Sequence, residues 1–129
     1  MNQMTEVAES VASSYEPVCR LDQIERECGV AALVRGEAVA VIRTYDDRVH
    51  ALSNYDPFSH ASVLARGIVG TRTVDGEEVP YVASPIYKQG FDLRTGQCLD
   101  DAGVRVPTYD VRVVDGVVHV GPRRETIPS

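Results

Sequence analysis

The most informative stretch of this chain covers residues 83–96 and reads Ala83-Ser84-Pro85-Ile86-Tyr87-Lys88-Gln89-Gly90-Phe91-Asp92-Leu93-Arg94-Thr95-Gly96. Its middle predicts a β-strand over Tyr87–Leu93, since branched and aromatic residues favour extended backbone. A turn follows at Arg94-Thr95-Gly96, where Gly96 can supply the positive φ of a tight turn. The stretch is therefore predicted to be one strand of a sheet that ends in a tight turn.

Similar short apolar runs, separated by turn residues, recur on both sides of this stretch. They predict seven further strands, Pro17–Leu21, Ala31–Val34, Ala38–Arg43, Arg48–Ser53, Val79–Ala83, Tyr109–Val114 and Val117–Val120. Asp115-Gly116 is the strongest hairpin signal, and Arg35-Gly36-Glu37 predicts a second hairpin. Strands spaced in this way predict an all-β fold, an antiparallel sandwich or partial barrel with one or two short helices.

Two stretches depart from the strand pattern. Leu21–Cys28 is predicted to form one or two helical turns that end at Gly29. Pro57–Arg66 is predicted to form a short helix, with proline in the first turn and Gly67 closing its end.

The length and composition predict one domain over residues 15–121, between a disordered leader at residues 1–14 and a flexible tail at residues 122–129. The net charge of −6 argues against nucleic acid and against an anionic membrane as partners, since both attract Lys and Arg. The three cysteines are odd in number and far apart, and no apolar stretch near the start resembles a secretion signal. We therefore expect a cytoplasmic protein with free thiols.

The residues alone indicate no catalytic site. His50, His60 and His119 share no metal-ligand spacing, and His50 and His119 are predicted to face solvent from their strands. Adjacent carboxylates occur only beside turns, where solvated acids are common. No G-x-S-x-G motif, P-loop or dinucleotide-binding glycine pattern is present in the sequence.

Residues 84–96 do resemble the second half of a Rieske iron–sulfur site, in which Cys-Pro-x-His precedes Phe-Asp and a Thr-Gly turn. Ser84 stands where that pattern has Cys, and Tyr87 stands where it has His. Upstream, Asn54 and Asp56 occupy the positions of the first Cys-x-His pair. A Rieske cluster needs two thiolates and two imidazoles. The resemblance therefore implies a Rieske-like fold, with residues 53–96 as the cluster-binding lobe, but no cofactor or metal in this chain.

A second motif narrows the resemblance. Asp56-Pro57-Phe58, followed by Val63-Leu64-Ala65-Arg66-Gly67-Ile68-Val69-Gly70, is similar to a D-P-F and V-L-x-R-G-I-x-G pattern. That pattern is typical of the small subunit of the cytosolic, assimilatory NAD(P)H-dependent nitrite reductase. The resemblance implies a non-catalytic subunit without activity of its own. Its large-subunit partner would carry FAD, an iron–sulfur cluster and sirohaem, and would reduce nitrite to ammonium.

Five residues are candidates for contact with such a partner, namely Tyr55, Phe58, Arg66, Lys88 and Gln89. Phe58 could equally belong to the core, and Arg66 could simply end a helix. Tyr87 is predicted to fill the space left by the cluster, because an empty pocket would forfeit packing contacts. Two other functions remain open, a free-standing β-domain that binds proteins and, least favoured, a Rieske ferredoxin that carries electrons.

Overall fold

The structure, a computed structural model, describes residues 14–124. The predicted leader falls outside this range except for Ser14, as does the predicted tail beyond Arg124. Within the range the strands are β1 Glu16–Arg20, β2 Cys28–Val34, β3 Glu37–Arg43, β4 Val49–Ser53, β5 Tyr55–Asp56, β6 Ala61–Ser62, β7 Ile68–Val74, β8 Glu77–Ala83, β9 Gly90–Asp92, β10 Thr108–Val114 and β11 Val117–Arg123. Two 3₁₀ turns, Leu21–Gln23 and Leu64–Arg66, are its helical elements. No helix in this part of the chain is long and apolar enough to span a membrane.

The largest element is a six-stranded antiparallel sheet in the order β1-β11-β10-β4-β3-β2. Its edge strands β1 and β2 also contact each other, so the sheet curls almost closed. Apolar side chains fill its interior, among them Ile24, Val34, Val39, Val41, Ala51, Tyr109, Val118 and Val120. The predicted all-β partial barrel is confirmed.

Strand β3 is buried on both faces. Val39 and Val41 point into the curled sheet, whereas Ala40 and Ile42 point outward into a second core. This alternation follows from the two-residue period of an extended strand. The second core also contains Phe91, which lies on the three-stranded sheet β7-β8-β9. Strand β3 therefore fastens the small sheet to the large one.

Tight turns join several of the hairpins. Arg35 and Gly36 both have positive φ, 49° and 79°, as do Asp115 and Gly116, 51° and 77°. Two consecutive positive φ values are the signature of the type I′ turn, whose twist suits an antiparallel hairpin. The hairpins predicted at these two sites are confirmed.

The short helix predicted over Pro57–Arg66 is wrong. The Asp56 carboxylate accepts the Phe58 N–H at 2.9 Å, and the Asp56 carbonyl accepts the His60 N–H at 2.8 Å. These bonds close a turn in place of a helix, and His60 takes a left-handed φ of 59°. The chain then pairs as β5 and β6, and only Leu64–Arg66 makes a 3₁₀ turn.

The other helical prediction also needs correction. Only Leu21–Gln23 is helical, as a 3₁₀ turn, and β2 already begins at Cys28. Gly29 lies inside β2 and ends no helix. A Cβ there would come within 2.5 Å of the Ile42 side chain and 2.9 Å of the Ala65 carbonyl oxygen. Glycine at this position therefore permits a close approach of the chain.

The strands also differ from prediction, and three of these differences are large or bear on the site. The strand expected over Tyr87–Leu93 is limited to Gly90–Asp92, because the Lys88 N–H bonds to the Ser84 carbonyl at 3.0 Å and closes a turn. β7, Ile68–Val74, was not predicted. β11 continues to Arg123, beyond the predicted end of the domain, where Arg123 pairs with Glu37.

Candidate functional site

Two loops meet at the four positions that correspond to Rieske ligands. Loop A comprises residues 54–62 and follows β4, and loop B comprises residues 84–89 and joins β8 to β9. The Ser84 hydroxyl on loop B donates a hydrogen bond of 2.5 Å to the Asp56 carboxylate on loop A. Both side chains are fully buried. Residues 28 positions apart in sequence are thus joined directly.

Asp56 is a buried carboxylate surrounded by hydrogen-bond donors. Besides Ser84, Oδ2 accepts the Ser59 hydroxyl at 2.8 Å, and Oδ1 accepts the Phe58 N–H. Burial by itself raises the pKa of the Asp56 carboxyl, but the Ser84 and Ser59 hydroxyls and the backbone N–H groups of Phe58 and Ser59 together outweigh burial, and the net pKa is lowered. The carboxylate is therefore held ionised within the protein.

Asn54 is also buried, and its side-chain oxygen and both backbone polar groups are hydrogen-bonded. Its side-chain Oδ1 accepts the Ala65 N–H at 2.7 Å. Its backbone N–H donates to the Ala38 carbonyl, and its carbonyl accepts the Leu64 N–H, both at 3.0 Å. Asn54 therefore ties the start of loop A to β3 and to the 3₁₀ turn, and it has a structural role in this arrangement.

Loop B is a turn built around Ser84. The Ser84 hydroxyl accepts the Ile86 N–H at 3.2 Å, and the Ser84 N–H donates to the Gln89 carbonyl at 3.0 Å. Tyr87 projects away from this turn, with 59 % of its surface exposed. The expectation that Tyr87 fills the space of the cluster is therefore wrong, since the Asp56–Ser84 hydrogen bond occupies the junction between the loops.

The residues at the four ligand positions do not fit a [2Fe–2S] cluster. Asn54, Asp56 and Ser84 offer hard oxygen or amide atoms, whereas such clusters require soft thiolates and imidazoles. Their oxygen atoms are already committed to hydrogen bonds with the protein. Tyr87 presents a phenol to solvent. Over residues 14–124 no group of three or more His, Cys, Asp or Glu is arranged to hold a metal ion.

The outer surface of the two loops is apolar and aromatic. Tyr55, Pro85, Ile86 and Tyr87 are all exposed, and Lys88 supplies a positive charge beside them. The Tyr55 hydroxyl contacts His60 Nδ1 at 2.9 Å, which restrains the ring. We call this surface, formed by Tyr55, Pro85, Ile86, Tyr87 and Lys88, the tip.

The remaining candidate contact residues lie in different environments. Phe58 is half-buried and packs on the core, with its ring centroid 6.2 Å from that of Phe91. Gln89 is half-buried, and its Oε1 is buried without a hydrogen-bond partner among the described residues. Arg66 is exposed at the end of its 3₁₀ turn. Of the five candidates, Tyr55 and Lys88 belong to the tip.

Sequence reasoning missed a polar cleft at the opposite end of β4. The cleft holds about 240 Å³ and is lined by Thr44, Tyr45, Asp46, Arg48, His50, Thr71, Glu78, Pro80 and Arg94. The prediction that His50 faces solvent is wrong, because its Nε2 is buried and has no hydrogen-bond partner within residues 14–124. His119 is half-buried, with Nδ1 3.1 Å from the Val117 carbonyl. The alternation of side chains along β4 could not reveal that the small sheet covers the face on which His50 lies.

This fold, with two loops at one end that correspond to the ligand loops of a Rieske site, is that of a Rieske-like domain. The family model described as a Rieske-like [2Fe-2S] domain matches residues 14–121. The nitrite reductase (NADH) small subunit of Salmonella typhimurium is 46 % identical over 109 residues, which cover 84 % of this chain and 97 % of that protein. The chain belongs to the nitrite reductase small-subunit family within the Rieske-like domains.

Two solved structures are similar over most of their length. A Mycobacterium tuberculosis protein described as an NADH-dependent nitrite reductase small subunit has a TM-score of 0.76 and 43 % identity, covering 88 % of this chain and 96 % of that one. The ferredoxin of carbazole 1,9a-dioxygenase from Nocardioides aromaticivorans has a TM-score of 0.71 and 28 % identity, covering 84 % and 97 %.

One further relative is a much longer protein. The nitrite reductase [NAD(P)H] large subunit of Klebsiella oxytoca is 37 % identical over 107 residues, which cover 83 % of this chain and 11 % of that subunit. A domain of this kind thus also occurs inside a large-subunit polypeptide.

Proposed function

We propose that this chain is the non-catalytic small subunit of a cytoplasmic NAD(P)H-dependent nitrite reductase. It docks on a large subunit that carries FAD, an iron–sulfur cluster and sirohaem and reduces nitrite to ammonium in nitrogen assimilation. The chain itself holds no cluster and transfers no electrons. Its contribution is to bind the large subunit and support its assembly.

One observation carries this proposal. The chain belongs to the nitrite reductase small subunits, yet two of its four ligand positions, Asp56 and Ser84, are bonded to each other in a network of hydrogen bonds centred on Asp56. A third, Asn54, is bonded to the Ala65 N–H. A side chain already bonded within the protein is not available to a metal, and oxygen donors match iron–sulfur chemistry poorly. The fold of an electron carrier without its ligands favours a role in protein binding.

The matching segment of the Klebsiella oxytoca large subunit supports contact between the two proteins. Where such a domain lies within the large-subunit polypeptide, it is held beside the catalytic part by covalent linkage. A separate small subunit needs a binding surface to reach the same place. The tip is suited to binding, because the large side chains of Tyr55, Ile86 and Tyr87 are exposed and can be buried against a partner.

Reconstitution tests the proposal. The purified chain should be colourless, contain no iron and reduce no nitrite with NADH or NADPH. When it is mixed with its large subunit, the two should elute together from a sizing column. Nitrite reduction by the reconstituted complex should exceed that of the large subunit alone. Absence of binding, or brown iron-containing small subunit, would contradict the proposal.

Two exposed tyrosines allow a matched test of the binding surface. Tyr87, on the tip, is 59 % exposed, and Tyr45, at the other end of β4, is 55 % exposed. Tyr87→Ala should weaken large-subunit binding about five- to thirtyfold, the range of an interface residue worth ~1–2 kcal/mol. Tyr45→Ala should leave binding unchanged. Equal effects of the two substitutions would exclude the tip as the contact surface.

A pull-down from native lysate separates this function from that of a free-standing interaction module. If the chain is a nitrite reductase subunit, it should retain a large protein with flavin and sirohaem absorbance. Repeated recovery of other proteins without this reductase would favour the module.

A further inference from the structure

The structure assigns to Asp56 and Ser84 the mechanical task that an iron–sulfur cluster performs in a Rieske domain. A cluster joins the two ligand loops covalently, because each loop supplies ligands to it. Here no ligand set is present, and the loops still meet at a fixed point. We propose that the buried Asp56–Ser84 hydrogen bond is the cross-link between loops A and B and that it positions the tip for docking. This inference rests on the proposed function for its docking part.

The Asp56–Ser84 pair is the direct side-chain hydrogen bond between the two loops within residues 14–124. Asp56 and Ser84 are both fully buried, so water does not compete for the bond. A hydrogen bond to an ionised acceptor is about twice as strong as a neutral one. A single buried bond of this kind can therefore restrain two flexible loops.

Each partner of this bond also organises its own loop. Asp56 accepts the Phe58 N–H and the Ser59 hydroxyl in loop A. Ser84 accepts the Ile86 N–H in loop B, and its carbonyl accepts the Lys88 N–H. The cross-link thus joins the two side chains on which the loop turns are built. Loss of the bond between Asp56 and Ser84 should therefore be felt in both loops.

The tip residues lie beside these anchors. Tyr55 immediately precedes Asp56, whereas Pro85, Ile86 and Tyr87 directly follow Ser84. The position of Tyr55 relative to the loop B residues of the tip is consequently set by how Asp56 and Ser84 are joined. Asp56 and Ser84 are buried and cannot touch a partner, so they act as positioning residues for the exposed ones.

Serine substitutions separate the cross-link from local effects. Ser84→Ala removes the donor from the opposite loop, whereas Ser59→Ala removes a donor to the same Asp56 oxygen from within loop A. Ser84→Thr keeps the hydroxyl and serves as the rescue variant. The readout is residue-specific amide hydrogen exchange of the folded chain, with the Phe58 and His60 amides reporting on loop A.

We expect a substitution in loop B to change amide exchange in loop A. Ser84→Ala should raise exchange at the Phe58 and His60 amides about ten- to a hundredfold, as for loss of a hydrogen bond to a charged group. Ser84→Thr should restore protection. Ser59→Ala should leave the Lys88 amide of loop B unchanged. If Ser84→Ala alters exchange only within loop B, Ser84 merely shapes its own turn and the inference is overturned.

Binding to the large subunit then tests docking separately. Ser84→Ala should weaken binding, with Ser84→Thr restoring it. If Ser84→Ala speeds amide exchange but does not weaken binding, the claim that the cross-link positions the tip is wrong, whereas the claim that the cross-link exists still stands. If the unaltered chain does not bind the large subunit, the proposed function fails, while the exchange measurement still decides whether the cross-link exists.

Discussion

Single side chains in this domain show how burial changes the role of a polar group. Asp56 is fully buried and His50 is half-buried, and the two side chains differ in the hydrogen-bond partners that surround them. Asp56 is surrounded by donors and its pKa is lowered despite its burial. His50 Nε2 is buried without a partner among the described residues. The first arrangement favours a charged group, and the second favours a neutral one.

The acid sensitivity of the fold should depend on His50. Burial lowers the pKa of His50 below its usual value, and the nearby Asp46 carboxylate opposes this shift only in part. The unfolded chain therefore binds a proton near pH 6.5 that the folded chain resists. The stability that neutral His50 provides is full above this pH and is lost as pH falls toward the lowered folded value.

This dependence is measurable by urea unfolding between pH 7.5 and 5. The free energy of unfolding of the unaltered chain should fall over this interval, whereas that of His50→Gln should fall less, since glutamine does not titrate. Parallel curves for the two proteins would show that His50 contributes nothing to the pH dependence.

At the level of elements, turns are the parts that local sequence specifies most directly. Asp115-Gly116 is a residue pair that type I′ turns favour, and Arg35-Gly36 shares its glycine, so both hairpins were predictable. Gly76 and Gly96 share the same φ of 79° but differ in surroundings. A Cβ at Gly76 would meet nothing within 4 Å, whereas one at Gly96 would lie 2.0 Å from the Val106 carbonyl oxygen.

Alanine substitutions at these two glycines should therefore differ in cost. Gly76→Ala should destabilise the fold by about 1–2 kcal/mol, the cost of a left-handed conformation for an L-residue. Gly96→Ala should cost about 1–3 kcal/mol more, because the chain around Val106 must also move. Chemical denaturation of both variants tests this. Equal losses would mean that the contact with Val106 relaxes at no cost.

Features that depend on contacts between distant residues could not be predicted from the sequence. Ser84 and Asp56 could be placed at ligand positions by their motifs, but their mutual bond joins loops 28 residues apart. With the junction closed by this bond, Tyr87 has no internal space to fill and stays at the surface. The same Asp56 carboxylate replaced a predicted helix by a turn at Phe58. One buried acid thus accounts for two wrong predictions.

The architecture of the whole molecule keeps the two loops together independently of a metal. Strand β3 contributes Val41 to the core of the curled sheet and Ile42 to the core beneath the small sheet. Loop A leaves the large sheet after β4, and loop B connects strands of the small sheet. Because both sheets pack on β3, their loops are brought to the same end of the domain.

If the architecture brings the loops together and the Asp56–Ser84 bond stands in for a cluster, restoring the ligands should restore a cluster. The variant combines four substitutions, Asn54→Cys, Asp56→His, Ser84→Cys and Tyr87→His. It supplies two thiolates and two imidazoles on the original loops, the donor set that a Rieske cluster requires. After expression with iron and sulfide, the folded protein should be brown and contain about two irons per chain.

The matched control carries three of these substitutions and keeps Ser84, so that one thiolate is missing. It should bind little or no iron, because one iron of the cluster would lack a sulfur ligand. Visible absorption and iron analysis distinguish the two proteins. A folded but colourless four-residue variant would show that the loops have diverged from Rieske geometry. Missing ligands alone would then not explain the proposed absence of a cluster, and the two sheets would not suffice to hold the loops in register.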